Sequence, residues 1–334
     1  MKNIFYALLA VMVVLLLGAG CQQVKKANTE PPPTIKIGVQ DSSMAALVFL
    51  AKEKGYFVDE GVDVQIVKYP SGKKALEGMF NKEVCMATVA DVPVVFESFN
   101  RNDFKIIASI ADSDSSIWIV ARKDANINKP SDLRGKKIGV QKLSGTHLFL
   151  GSFLSKNFIQ DDSVEIVYGE SAGLVDALKS GEVDAISGRN PQTFQAKLAL
   201  GKENTSEFFD SEIYNMNFVL VASLDISDQQ PEFVKAIVSA LVRAEDFAKN
   251  NPEQSKNFLV KELGGGRGEE VANDFERLKL RVSLSQALLL SFENIDRWLI
   301  RSRFVEQKKI PNVLSFIYDT ALESVKPEAV TIIK

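Results

Sequence analysis

The stretch Lys136–His147, with the sequence KKIGVQKLSGTH, combines a strand, a tight loop and the start of a helix. Ile138 and Val140 have the spacing of a short buried strand, and Gly145 follows the bend. Apolar residues then recur at helical spacing. Backbone amides are exposed at such a helix N-terminus, where an anion can bind. The stretch therefore predicts an α/β fold with a ligand-binding loop at Ser144–His147.

The phrase Ile-Gly-Val-Gln occurs twice, at residues 37–40 and again at 138–141. Three further matches follow in the same order and about one hundred residues apart: Val64–Val67 with Val164–Val167, Glu83–Val84 with Glu182–Val183, and Asp91–Pro93 with Arg189–Pro191. This period predicts two similar α/β units. The alternative is that unrelated strand–helix units share these short phrases by chance.

The bulk composition is that of a soluble globular protein with a sizeable core. The chain has 334 residues, of which 46% are hydrophobic and 25% charged, which suits two domains of ordinary size. The net charge is −3 and the basic residues are scattered, so nucleic acid is not expected as a partner.

The N-terminal residues differ in character from the rest. Lys2 precedes the apolar run Ile4–Leu17, and small residues stand directly before Cys21. This pattern predicts a signal peptide at 1–20, and it is similar to the lipobox of bacterial lipoproteins, which implies lipid on Cys21. The alternatives are ordinary signal cleavage or an uncleaved N-terminal anchor.

Residues 21–33, which include three consecutive prolines, are predicted to form a tether outside the fold. If Cys21 carries lipid, Cys85 is the one remaining cysteine and no intramolecular disulfide is possible.

Strand and helix patterns alternate from Ile35 to Ala121 and again from Pro130 to Ala222. This alternation predicts parallel-rich sheets flanked by helices. From Pro231 to the end, the pattern is almost entirely helical, and we expect these helices to pack back on the first unit.

Ligands of open α/β sheets bind beyond the carboxyl ends of the strands. This rule selects four loops and one neighbouring carboxylate, and predicts ligand contact at Gln40, Asp41, Ser42, Ser71, Asp91, Ser144, Gly145, Thr146, His147, Arg189 and Asn190.

The chemistry of these side chains leaves alternatives open. The hydroxyl groups can contact ligand or cap helices, and Arg189 can clamp an oxyanion or pair with an acidic neighbour. If Asp41 and Asp91 both line the site, a zwitterion or an amine-bearing pyrimidine fits better than nitrate; otherwise they cap helices. His147, the one histidine, is either a neutral ligand contact or a packed side chain.

No catalytic motif is found. One histidine and one mature thiol leave no histidine-rich metal site and no evident triad, and residues 264–268 lack the Gly-Lys-Ser/Thr ending of a phosphate loop. We therefore expect a binding protein, with neither metal nor cofactor, rather than an enzyme.

Five phrases resemble those of solute-binding proteins from nitrate, sulfonate, taurine and thiamine-precursor importers. They are Lys54–Phe57 (KGYF), Gly61–Val64 (GVDV), Asp132–Val140 (DLRGKKIGV), Ala177–Ala185 (ALKSGEVDA) and Lys326–Val330 (KPEAV). The resemblance as a whole covers about residues 35–334, and the five phrases occur along that span.

The resemblance implies a two-lobe periplasmic-binding-protein fold of type II, with ligand held in the cleft. Lobe 1 would be 34–119 plus 221–334 and lobe 2 would be 120–220, with hinges at Ile117–Ala121 and Phe218–Ala222. Closure of the lobes around the ligand is the expected motion.

The implied protein is the monomeric extracytoplasmic component of an ABC importer, with a permease and an ATPase as partners and the membrane reached through its lipid. Its cargo would be a small polar solute. An enzyme on the same scaffold, similar to pyrimidine synthases or menaquinone-pathway enzymes, and a sensory binding lobe are the alternatives.

Overall fold

A computed structural model describes residues 34–306 and 310–333. The predicted signal peptide at 1–20, the lipidated Cys21 and the tether at 21–33 lie outside the described residues. No helix in the described part of the chain has both the length and the apolar character needed to cross a membrane.

The described residues contain eleven strands: β1 (Thr34–Gln40), β2 (Asp63–Tyr69), β3 (Met86–Ala90), β4 (Phe104–Ser113), β5 (Ile117–Arg122), β6 (Lys137–Val140), β7 (Glu165–Tyr168), β8 (Ala185–Arg189), β9 (Thr205–Phe208), β10 (Met216–Ser223) and β11 (Lys279–Ser283).

They also contain thirteen α-helices: α1 (Ala46–Glu53), α2 (Tyr56–Asp59), α3 (Gly72–Phe80), α4 (Asp91–Ser98), α5 (Gly145–Lys156), α6 (Leu174–Ser180), α7 (Gln192–Leu200), α8 (Leu224–Gln229), α9 (Pro231–Asn250), α10 (Pro252–Leu263), α11 (Gly268–Phe275), α12 (Gln286–Arg301) and α13 (Thr320–Val325). Short 3₁₀ turns complete several connections.

The strands form two mixed sheets. The first has the order β11-β4-β10-β3-β1-β2 and the second has the order β7-β6-β8-β5-β9. In each sheet three strands are parallel, β2-β1-β3 in the first and β7-β6-β8 in the second, and the remaining strands join antiparallel. The α/β class predicted from the sequence is confirmed. The sequence did not predict that half of each sheet is antiparallel.

The two parallel halves confirm the internal repeat. Each repeated Ile-Gly-Val-Gln phrase begins inside the central strand of its half, β1 or β6, and the next two strands of the chain lie on either side of it. The carboxyl ends of β1 and β6 are therefore built alike, and each leads into a loop and a helix.

Burial follows the sequence pattern in both kinds of element. In β1, Ile37 and Val39 are fully buried, as expected for a strand with helices packed over its sheet. In α9, Val234, Ile237 and Leu241 recur at helical spacing and are also fully buried. Helix α9 packs against α1, β11 and α13, so the C-terminal helices cover the first sheet as predicted.

The C-terminal part is not entirely helical, which corrects one prediction. Residues 269–303 belong to the part expected to be almost entirely helical, but they contain β11 between α11 and α12. Leu278, Leu280 and Val282 alternate with charged residues, a period of two that is typical of an edge strand. Pairing with β4 supplies the hydrogen bonds that this segment cannot form alone.

The predicted hinge strands lie inside sheets. Ile117–Ala121 belongs to β5, which pairs with β8 and β9, and Phe218–Ala222 belongs to β10, which pairs with β3 and β4. Strands bonded on both sides resist bending, so bending is expected in unpaired chain. The chain passes between the sheets at 114–116 and returns at 209–215.

We predict that Gly72→Ala lowers the free energy of unfolding by about 1–3 kcal/mol, because the new methyl group overpacks helix α3 against strand β3. A Cβ at Gly72 would lie 3.0 Å from Val89 Cα and 3.2 Å from the Thr88 carbonyl oxygen, and neither backbone atom can turn aside. Urea denaturation measures the change.

Gly151→Ala in α5 is the matched control. Its Cβ would meet Trp298 Nε1 at 3.6 Å, an ordinary contact, so the helix should gain about 0.5–1 kcal/mol. Equal effects of the two substitutions would contradict the close packing assigned to Gly72.

Candidate functional site

A small cavity lies between the carboxyl ends of strands from both sheets, with a volume of about 50 Å³. That is room for a few water molecules or a compact polar group. The residues that line it are Gln40, Ser71, Gly72, Lys73, Ala90, Pro93, Gln141, Leu143, Ser144, Gly145, Thr146, Ser171, Leu174, Ser187, Gly188, Arg189, Gln192 and Met216.

Two helix N-termini face this cavity. Ser71 precedes α3 and its Oγ accepts a hydrogen bond of 3.2 Å from the Lys74 amide. Ser144 precedes α5 and its Oγ accepts one of 3.3 Å from the His147 amide. The hydroxyls therefore cap their helices, while the remaining first-turn amides and the positive helix ends favour an anion in the cavity.

Arg189 ends strand β8 and brings a positive charge to the same cavity. Its Nη1 atom is buried and has no hydrogen-bond partner within the described residues. Burial lowers the pKa of Arg189, and the nearby negative charge of Asp274 partly offsets this effect. A buried guanidinium nitrogen without a partner is costly, so the arrangement suits an oxyanion that would complete its hydrogen bonds.

The internal repeat places equivalent side chains on the two sides of the cavity. Gln40 is the last residue of β1 and Gln141 directly follows β6, and both line the cavity. The Oε1 atom of Gln40 accepts from the Gly72 amide at 3.3 Å, and that of Gln141 accepts from Ser171 Oγ at 2.8 Å. The structure thus adds Gln141 and Ser171 to the predicted site. The signal that could have located them is the repeat, because they stand about one hundred residues after Gln40 and Ser71.

Six of the predicted contact residues line the cavity together: Gln40, Ser71, Ser144, Gly145, Thr146 and Arg189. The additional lining residues Ser187 and Gln192 come from β8 and α7, close in sequence to Arg189. Ser187 lies two residues before Arg189, so strand alternation indicates that both side chains face the same side.

The two predicted carboxylates do not line the cavity. Asp41 forms ion pairs with Lys68 at 3.1 Å and with Arg267 at 3.4 Å. Asp91 is fully buried, and accepts hydrogen bonds from the Tyr214 hydroxyl and from the backbone and side-chain nitrogens of Asn217. Cations therefore pair with Asp41, and neutral donors hold Asp91, in other parts of the fold. Among the described residues no carboxylate lines the cavity, whereas Arg189 and Lys73 do.

The other three predicted residues are also absent from the cavity lining. Ser42 is buried without a capping hydrogen bond, and Asn190 accepts from Thr193 Oγ1 at 2.9 Å beside a separate small cavity. His147 is packed among Tyr168, Trp298 and Phe304. Burial and the neighbouring Lys142 lower the pKa of His147 to about 4, so its imidazole is neutral at ordinary pH.

The described residues hold no group of three or more His, Cys, Asp or Glu side chains arranged to bind a metal ion.

The fold and the cavity define the class of protein. The structure superposes on the periplasmic aliphatic sulphonate binding protein SsuA of Escherichia coli with a TM-score of 0.71 at 18% identity, covering 87% of this chain and 99% of that one. For the nitrate-binding protein NrtA of Synechocystis PCC 6803 the TM-score is 0.69 at 13% identity, with 88% of each chain covered. The protein therefore has the periplasmic-binding-protein fold.

The sequence places it more narrowly. The profile of the family described as "NMT1/THI5 like" matches residues 43–255, and the chain belongs to that family. The Bacillus subtilis protein that carries the name aliphatic sulfonates-binding protein is 26% identical over 283 residues, which are 83% of this chain and 84% of the relative. The taurine-binding periplasmic protein of Escherichia coli is 23% identical over 223 residues, 66% of this chain and 68% of the relative. The predicted family resemblance is confirmed, and these relatives are named as binding proteins rather than enzymes.

We predict that wild-type protein gains stability relative to Asp91→Asn as the pH falls. Burial raises the pKa of Asp91 to about 6 from an ordinary value of 3.8, so the folded state takes up this proton at higher pH than the unfolded chain. The stability that comes with the proton is present at low pH and is lost as the pH rises through about 6.

Between pH 7.5 and pH 4.5 the difference in unfolding free energy between the two proteins should move by about 2 kcal/mol in favour of wild type. Urea denaturation at the two pH values measures it, and other titrating groups cancel in the comparison. A difference that does not change with pH would contradict the raised pKa.

Proposed function

We propose that this protein is the extracytoplasmic solute-binding component of an ABC importer. Its proposed ligand is a small oxyanion of the sulfonate class. The observation that carries the proposal is the buried, unpartnered Nη1 of Arg189 at a cavity faced by two helix N-termini. All of these features favour negative charge. Relatives named for aliphatic sulfonates and taurine support the same class.

The proposed ligand contacts are Gln40, Ser71, Gln141, Ser144, Gly145, Thr146, Ser171 and Arg189. Because Asp41 is ion-paired and Asp91 is hydrogen-bonded away from the cavity lining, they do not supply the acceptor that an amine would need. A simple anionic head group therefore fits this lining better than a zwitterion.

Two lobes that close on the ligand are part of the proposal. Lobe 1 would be 34–119 plus 221–334, and lobe 2 would be 120–220, with bending centred on the unpaired segments 114–116 and 209–215. A permease with its ATPase would receive the solute from the closed form. Contacts from both sheets at one small cavity support this motion, because ligand held on both sides stabilises closure.

A ligand panel tests the function directly. The chain beginning after Cys21 would be unfolded, refolded to remove bound solute, and heated with alkanesulfonates, taurine, nitrate, bicarbonate or hydroxymethylpyrimidines. A ligand at about a thousand times its dissociation constant adds roughly 4 kcal/mol. We expect an upward shift of several degrees with a short alkanesulfonate and no turnover of any compound.

Arg189→Ala should weaken binding of that alkanesulfonate about thirtyfold or more, because a buried charge on the ligand would lose its partner. Isothermal titration calorimetry measures the dissociation constant. Arg301→Ala is the matched control, since Arg301 is an exposed arginine that does not line this cavity. Equal affinity of the two variants would exclude Arg189 as the anion clamp, and turnover of a panel compound would favour an enzyme.

Membrane attachment through Cys21 is proposed from the sequence before it. Cys21→Ser should move the protein from the membrane to the soluble fraction and abolish its labelling by palmitate, whereas Cys85→Ser should change neither. Membrane retention of the Cys21 variant would indicate an uncleaved N-terminal anchor.

A further inference from the structure

The loop between β6 and α5 contains a residue in an unfavourable backbone conformation. Leu143 has a φ of +57°, in the left-handed region that leucine rarely adopts. Both Leu143 and the following Ser144 line the cavity. A residue of this kind keeps its conformation only when the surrounding structure holds it there.

His147 forms a hydrogen bond with the backbone of Leu143. The Leu143 amide donates a hydrogen bond of 3.3 Å to His147 Nδ1. Because Nδ1 accepts, the neutral ring carries its proton on Nε2, which lies 3.4 Å from the Tyr168 hydroxyl. Both ring nitrogens therefore have partners, and neither is directed to the cavity.

Three aromatic rings fix the imidazole in place. The centroids of Tyr168, Trp298 and Phe304 lie 5.2, 5.2 and 5.1 Å from that of His147, all in edge-to-face geometry. Trp298 belongs to α12, and Phe304 follows that helix. The C-terminal part of the chain thus braces a histidine at the first turn of α5.

We propose that His147 is a positioning residue, which holds Leu143 in the left-handed conformation from behind the cavity and thereby sets the shape of the ligand loop 141–144. The proposed effect on the loop conformation is argued from the fold alone and does not depend on the identity of the ligand. The effect on ligand affinity rests on the proposed function.

Amide hydrogen exchange tests the loop without any ligand. His147→Phe keeps an aromatic ring and removes the acceptor, so the Leu143 amide should exchange about tenfold faster or more. His147→Asn and His147→Gln both lose the ring, but the Asn Oδ1 atom occupies the place of Nδ1 and the longer Gln does not. We expect slow exchange to persist in the Asn variant and to be lost in the Gln variant.

A double-mutant cycle with ethanesulfonate tests the effect on binding. Glycine takes the left-handed conformation without strain, so the weakening caused by His147→Phe should be smaller in a Leu143→Gly background than in the wild-type background. We expect about tenfold weakening in the wild-type background and less than about threefold in the Leu143→Gly background.

Two results would overturn the proposal. One is equal exchange rates for the Asn and Gln variants, which would leave His147 a packing residue. The other is the same fold-weakening by His147→Phe in both backgrounds. If wild-type protein does not bind ethanesulfonate, the proposed ligand class fails while the exchange experiment still decides the role of His147.

Discussion

The arrangement of the cavity depends on the hydrogen bonds that the buried carboxylate of Asp91 accepts. Asp91 begins α4 at the end of β3, and it accepts hydrogen bonds from Tyr214 in the segment that returns from the second sheet and from Asn217 in β10. The Tyr214 ring in turn packs against Gly145, where an added Cβ would lie only 3.1 Å away. One carboxylate therefore connects the first sheet, the passage between the sheets and the N-terminus of α5. Its cost is the desolvation that raises its pKa, and the hydrogen bonds offset part of that cost.

The internal repeat explains the shape of the cavity, and its departure from symmetry explains the charge. Gln40 and Gln141 stand at equivalent positions. Gln40 accepts a hydrogen bond from the first residue of α3, and Gln141 accepts one from Ser171, just before α6. In the register of the two sheets, Ala90 at the end of β3 is the counterpart of Arg189 at the end of β8, one residue away from the sequence match of Asp91 with Arg189. The repeat thus supplies two similar walls, and a difference at one strand end places a guanidinium on one side.

Much of this could be predicted from the sequence, because strand ends and helix starts are encoded locally. The repeated phrase located Gln40, and the residues of the loop–helix junctions located Ser71 and Ser144. What could not be predicted are partners far away in the chain. Asp41 is paired by Arg267, and His147 is enclosed by Trp298 and Phe304. A pattern within one segment cannot report such contacts. Strand β11 is a different case: its apolar residues do alternate with a period of two, but the segment is only five residues long and its hydrogen bonds come from pairing with the distant strand β4.

Residues that are close in sequence are not always close in the folded chain, and this difference determines which ligand the cavity suits. Read as a row of side chains, the predicted site has two carboxylates and one arginine, which favours a zwitterion. In the folded chain Asp41 is ion-paired and Asp91 is hydrogen-bonded outside the cavity lining. Asp274, which also lies outside the lining, is the acidic group whose charge acts on Arg189. An oxyanion in the cavity would meet a guanidinium, a lysine and two helix N-termini with no opposing carboxylate among the described lining residues. Because these groups converge on a space of about 50 Å³, they suit a compact head group, and a bulkier organic substituent would require the two walls to separate.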